Sequence, residues 1–122
     1  MTSPATDTPV FDPSAIDKLR QVAGEEDTTF VAEIAAVFLE EATQSIEGLR
    51  RGCETGDWQT VSRLAHSVKS SAATLGLMRL SEACKALESD TNKASSTRET
   101  AGLVALVTNQ FELALPTLKG LS

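Results

Sequence analysis

The chain of 122 residues predicts an all-α protein: an antiparallel four-helix bundle with a short N-terminal capping helix. Three observations carry this reading. The composition is 41% apolar but only 4% aromatic, without tyrosine, and its apolar part is dominated by Leu and Ala, strong helix formers. Apolar residues recur at three- and four-residue spacing through four long segments. The connections between those segments are short and polar, as neighbouring antiparallel helices require.

The elements follow in order. Residues 1–10, "MTSPATDTPV", are polar with Pro4 and Pro9 and read as a flexible tail, leaving 11–122 as one domain. In "FDPSAIDKLRQVAG", Asp12 suits the N-cap and Pro13 the first helical position, and Phe11 and Ile16 hold the two places of a hydrophobic staple. This first helix ends near Gly24. The second is expected from Asp27 to about Arg51, with Val31, Ile34, Phe38, Ala42, Ser45 and Leu49 inward, until "RRGCETGD" breaks it with two glycines. Asp57 caps a third helix, Trp58 to Leu75, with Gly76 just past its end. Leu77, Leu80, Cys84 and Leu87 mark a fourth. After the polar "SDTNKASS", Ser96 and Glu99 have capping-box spacing for a fifth carrying Leu103, Leu106, Val107, Phe111 and Leu115, which Pro116 should kink or end.

Composition narrows the function. A formal net charge of −6 argues against a nucleic-acid partner, whose phosphates call for the opposite balance. The N-terminus lacks the basic region and apolar core of a secretory signal. No apolar run approaches bilayer-spanning length, so no membrane partner is expected. Cys53 and Cys84 form neither a disulfide framework nor a metal spacing; Cys84 falls on an apolar stripe as a core residue and Cys53 near a helix end. The expectation is a cytoplasmic protein acting as a monomer.

The single histidine lies in "RLAHSVKSSAATLG", Arg63 to Gly76. On a helical wheel, Val61, Leu64, Val68, Ala72 and Leu75 form the core seam of the third helix, and His66 falls about 150° away, facing solvent. Its neighbours on that face are Ser62, Lys69, Ser70 and Ala73, small apart from the lysine. A metal site lacks further ligands there. A triad could draw on Ser62 or Ser70, but the sequence offers no orienting acid or oxyanion site. The ring itself remains, a good nucleophile near neutral pH. Small neighbours give clear approach for in-line phosphoryl transfer, and Lys69, one turn on, places a cation where the phosphoryl oxygens would lie.

At these residues the sequence resembles a histidine-containing phosphotransfer (HPt) domain. "HSVKSSAATLG" carries the family's His, Lys, small residues and Gly. "GDWQTVSRLAH", "LMRLSEACKALE" and "FVAEIAAVFLEEATQSIEGL" resemble the segments around it, so the likeness covers roughly residues 14–118. The resemblance implies that His66 accepts and donates the phosphoryl group and that Lys69 orients it. Ser62, Ser70 and Ala73 would meet the docked partner; Ser70 stands where the family usually has glycine. It implies response-regulator receiver domains and a hybrid sensor kinase as partners, with Mg²⁺ carried by the receiver and no cofactor of the chain's own. The family often puts a polar residue close to the histidine, and Glu88, near the end of the fourth helix, is the candidate.

Other functions stay open at this point. The chain could be an HPt module of a larger hybrid or chemotaxis-type sensor kinase, or a helical adaptor that binds a receiver without chemistry. It has no P-loop, so ATP is not an expected donor. A sensor-kinase dimerisation domain would place an acidic residue directly after the histidine, where Ser67 stands.

Overall fold

The computed structural model describes residues 8–24, 29–93 and 99–122. They form five helices: α1 (Pro13–Ala23), α2 (Phe30–Thr55), α3 (Trp58–Thr74), α4 (Met78–Asp90) and α5 (Thr100–Leu121). Helices α2 to α5 make a closed ring, each packed against the next and α5 returning to α2, while α1 lies across α2 and α3. The expected bundle and its capping helix are present.

Local chemistry sets each boundary. Asp12 Oδ1 accepts the Ser14 N–H at 3.0 Å and so caps α1, satisfying one of the free backbone donors of its first turn. Ile16 is buried and Phe11 packs half-buried against the same core, as a staple should. The Asp12 N–H donates to the Gly76 carbonyl at 2.7 Å, which seats α1 on the α3–α4 corner. Gly76 has φ +78°, and a Cβ there would run into the Asp12 carbonyl, so both conformation and space require glycine. The Arg79 guanidinium adds a bond to the Thr8 carbonyl at 2.6 Å.

Several boundaries differ from expectation. The start placed at Asp27 lies outside the described residues, and the described helix begins at Phe30. Helix α2 does not break at the first glycine of "RRGCETGD" but continues to Thr55, closing at Gly56 with φ +74°. A Cβ on Gly52 would lie 2.8 Å from Val61 Cγ2, and one on Gly48 2.7 Å from Leu64 Cδ1. These glycines therefore bring α2 and α3 together rather than ending a helix. Ile46 occupies the buried position assigned to Ser45, which is half-buried.

The proposed cap Ser96 also lies outside the described residues. What fastens the start of α5 is Asp90. Its Oδ1 accepts the Glu99 N–H at 2.9 Å and its Oδ2 accepts the Thr100 hydroxyl at 2.6 Å. Pro116 does not end α5, which continues to Leu121. Proline removes the N–H that would bond the Glu112 carbonyl, but both residues are exposed, where water can take its place. Val104 and Ala114 are buried in α5, whereas Leu106, expected inside, is exposed. By length and composition alone α5 could cross a bilayer, with mean hydropathy 1.2 over its most apolar window; here Val104, Val107, Phe111 and Leu118 supply the bundle core.

Candidate functional site

Helix α3 starts at Asp57, whose carboxylate accepts the Thr60 N–H at 3.2 Å and the Thr60 hydroxyl at 2.7 Å. Its buried stripe is Val61, Ala65, Val68 and Ala72, with Ala65 in place of the expected Leu64, which is half-buried. That stripe turns His66 outward, and its side chain is 61% exposed. His66, Ser70 and Ala73 are thus exposed as the wheel predicts, while Ser62 and Lys69 are half-buried.

The packing of α4 on α3 completes the site. Leu80, Ala83, Cys84 and Leu87 are buried on α4, and the Ser81 hydroxyl donates to the Lys69 carbonyl at 3.0 Å, fixing the register between the two helices. That register carries Glu88 up to the histidine face. Glu88 Oε2 lies 2.8 Å from His66 Nδ1, and Glu88 Oε1 2.6 Å from Lys69 Nζ. One carboxylate therefore holds both residues singled out in the sequence. The orienting acid that sequence reasoning did not find is Glu88, already noted as a polar residue near the histidine. Its signal is faint because it comes from the next helix, and only the α3–α4 register brings it across.

The electrostatics set the proton positions. The hydrogen bond from Lys69 holds the Glu88 carboxyl below its ordinary value; burial opposes it, and the weaker hydrogen bond from His66 adds to the lowering. Glu88 is thus an anion that can only accept, so the short contact needs the proton on His66 Nδ1. With Nδ1–H bound to Glu88, the unprotonated nitrogen of the imidazole form is Nε2, which has no hydrogen-bond partner among the described residues. An imidazole fixed this way offers one nucleophilic nitrogen to solvent. Lys69 gives one of its three donors to Glu88 and keeps two. Cys84, beneath the pair, is the reverse case: burial pushes its thiol up to about 12, which makes it a core residue rather than a reactive one.

Beside this face, the N-terminal half of α2 and the C-terminal end of α3 frame an open groove of about 320 Å³, lined by Phe30, Ile34, Val37 and Leu75 with Glu33 and Glu41 at its rim.

Comparison with known proteins agrees with this geometry. The chain is 27% identical over 109 residues to "Multistep phosphorelay regulator 1" of Schizosaccharomyces pombe, an alignment covering 89% of this chain and 36% of that protein. The chain thus spans about a third of that relative's length. The fold superposes on the crystal structure of histidine-containing phosphotransfer protein B (HptB) from Pseudomonas aeruginosa PAO1 with a TM-score of 0.81 at 20% identity, covering 92% of this chain and 93% of that one. The Hpt domain family model matches residues 33–120, a span that holds all of α2 to α5 but their outermost residues and takes in His66, Lys69 and Glu88, and the chain belongs to the Hpt domain family.

Proposed function

We propose that this protein is a phosphorelay intermediate that takes a phosphoryl group from a receiver-domain aspartate onto His66 Nε2 and passes it to the aspartate of another receiver. The observation that carries the reading is the Glu88 clamp, which joins the two residues this chemistry needs. In the forward step the Nε2 lone pair attacks phosphorus. The bond from phosphorus to the aspartyl oxygen breaks, and the receiver's carboxylate leaves with the electron pair. The ring becomes a phosphorylated imidazolium that keeps its Nδ1 proton in a hydrogen bond to Glu88, and the carboxylate offsets the new positive charge. The return step reverses this: an incoming carboxylate attacks phosphorus, the nitrogen–phosphorus bond breaks, and the ring regains its lone pair.

Lys69 supports the step with its remaining donors, directed at the phosphoryl oxygens. The receiver brings Mg²⁺ and its own acidic pocket in this reading, so each partner contributes part of the charge stabilisation. Docking covers Ser62, Ser70 and Ala73 and extends into the adjoining groove at Val37, which is exposed. The partner's kinase and the receivers act in the cytoplasm, and a single copy of this chain contains the complete site. The S. pombe relative's greater length favours a second setting for the same chemistry, a module within a longer signalling protein.

The test is phosphotransfer from a phosphorylated receiver with Mg²⁺ present. The wild-type chain should gain an acid-labile, base-stable label. His66→Gln should abolish it while circular dichroism and melting stay unchanged, since the ring stands outside the core. Labelling of the variant, or labelling of the wild type by ATP alone, would contradict the proposal.

A further inference from the structure

Opposite charges border the two halves of the docking face. Around the ring they are positive: Lys69 keeps two donors, and Arg63, one turn before His66, is exposed. Beside the groove they are negative. Its lining is apolar, and Glu33 and Glu41 stand at its rim. Both carboxylates are exposed, and neither is in an ion pair among the described residues. Glu33 accepts the Thr29 hydroxyl at 3.3 Å, which leaves most of its acceptor capacity free. Val37 lies one turn from each, so Glu33, Val37 and Glu41 form one strip of α2. Its side chain is 54% exposed, an apolar contact left open between two unpaired anions.

We infer, resting on the phosphorelay reading above, that Glu33 and Glu41 select the receiver: the groove takes a receiver helix whose apolar ridge is flanked by two basic side chains. A groove between two helices with an apolar lining suits an amphipathic helix. The strip on α2 sets the spacing. At a rise of about 1.5 Å per residue the two carboxylates stand about 12 Å apart along the helix. On a partner helix lying along α2, that distance calls for basic residues seven or eight positions apart, on one face with the apolar ridge between them. The charge pattern also fixes orientation. The receiver's acidic pocket comes to the positive half, over His66. Turned end for end, it would meet Glu33 and Glu41 instead, like charge against like.

A second copy of this chain fits the groove less well. No described helix has two basic residues seven or eight positions apart. Arg63 and Lys69 on α3 border the ring, and Arg79 on α4 already bonds the Thr8 carbonyl. Two chains of formal charge −6 also repel each other. Exposed charge pairs of this kind add little affinity. They raise the rate of productive encounter and turn away mismatched partners, and salt screens both effects. The two carboxylates therefore act on which receiver is served and how fast it docks, while His66, Lys69 and Glu88 carry out the transfer.

The test is transfer to the full chain from each purified, phosphorylated receiver domain of the host, with Mg²⁺, at low and high salt. The fastest donor should carry the basic pair. Its kcat/KM should fall about tenfold or more when Glu33→Lys and Glu41→Lys are combined, with the loss in KM, and the paired Gln substitutions should lie between. Transfer to the wild type should slow as salt rises, and transfer to the reversed variant should not. Replacing the receiver's two basic residues by Glu should restore part of the reversed variant's rate. Glu54→Lys with Glu112→Lys makes the same change of net charge on the α2–α5 side of the bundle and should leave transfer at the wild-type rate. Equal rates for wild type and reversed variant would overturn the inference and leave His66 as the acceptor. So would an equal loss in the Glu54 and Glu112 control, a fastest donor without the basic pair, or self-association that the reversal abolishes. A wild type labelled by none of the receivers would overturn the phosphorelay reading and this inference with it.

Discussion

On helix α4, Glu88 and Asp90 stand two residues apart and face different neighbours. Glu88 leans towards α3, is 25% exposed, and holds His66 and Lys69. Asp90 faces α5, is 1% exposed, and accepts from Thr100 and the Glu99 backbone. Both are carboxylates with two short hydrogen bonds, and burial separates what they do. An ion pair in partial contact with water adds little to stability, so Glu88 can be given over to orienting a reactive ring. A fully buried carboxylate cannot be left unpaired without a large penalty, so Asp90 fastens the α4–α5 corner and is unsuited to changing partners.

The comparison breaks if the two residues do not separate stability from transfer. The largest expected effect is that of Asp90→Ala. It strands the Thr100 hydroxyl and the Glu99 N–H, and should cost about 2–4 kcal/mol of folding free energy. Urea denaturation reads this, while the transfer rate per folded molecule should match the wild type. Glu88→Ala should do the opposite. Losing a charge-assisted bond of about 1.5–3 kcal/mol should slow transfer from a receiver by roughly tenfold to a hundredfold, with stability changed by less than about 0.5 kcal/mol. Glu88→Gln keeps an acceptor for Nδ1–H and should recover part of that rate.

Bulk on the His66 face sharpens the same separation. Ser70→Trp and Ala73→Arg extend into solvent and should leave melting unchanged. A displacement of the docked aspartate by about 1 Å can cost on the order of a hundredfold in rate, so both variants should transfer poorly. Folded variants transferring at the wild-type rate would remove this face as the docking surface. Gly52→Ala, by contrast, belongs with Asp90. Its methyl would meet Val61 Cγ2, and the strain should cost about 1–3 kcal/mol, read in the melting temperature and not in the transfer rate.

How much of this was legible in the sequence divides along the same line. The outward placement of His66 and Lys69 follows from periodicity within one helix, and so do the Asp12 and Asp57 caps. Glu88 and Asp90 act across helices. Their roles depend on the register of α4 against α3 and α5, which is set by the packing of residues such as Ala65 and Cys84 and is invisible to a wheel. The same holds for Gly48 and Gly52. In sequence a glycine reads as a break; in the bundle it is where a neighbouring helix comes close. Pro116 misleads for a related reason, because only its exposed position shows that the freed carbonyl reaches water.

The smallest effect concerns pH. The Glu88 carboxyl is held below its ordinary value of 4.5, first by Lys69 and then by His66. A depressed carboxyl contributes stability that is present above the unfolded value and lost as pH falls through the folded one. The clamp should therefore persist at pH 4.5 and open only in more acid solution. Lys69→Ala should move the Glu88 midpoint back towards 4.5 by more than His66→Gln does, which carboxyl-detected NMR titration can follow.

The central claim is that Glu88 holds the Nδ1 proton and so leaves Nε2 of His66 to carry the phosphoryl group. Long-range ¹H–¹⁵N correlation of the ring, recorded before and after phosphorylation by a receiver, tests it directly. The account predicts a protonated Nδ1 in the free protein and phosphorus coupling at Nε2 in the phosphorylated one. Phosphorus on Nδ1, or a free ring protonated at Nε2 alone, would contradict it.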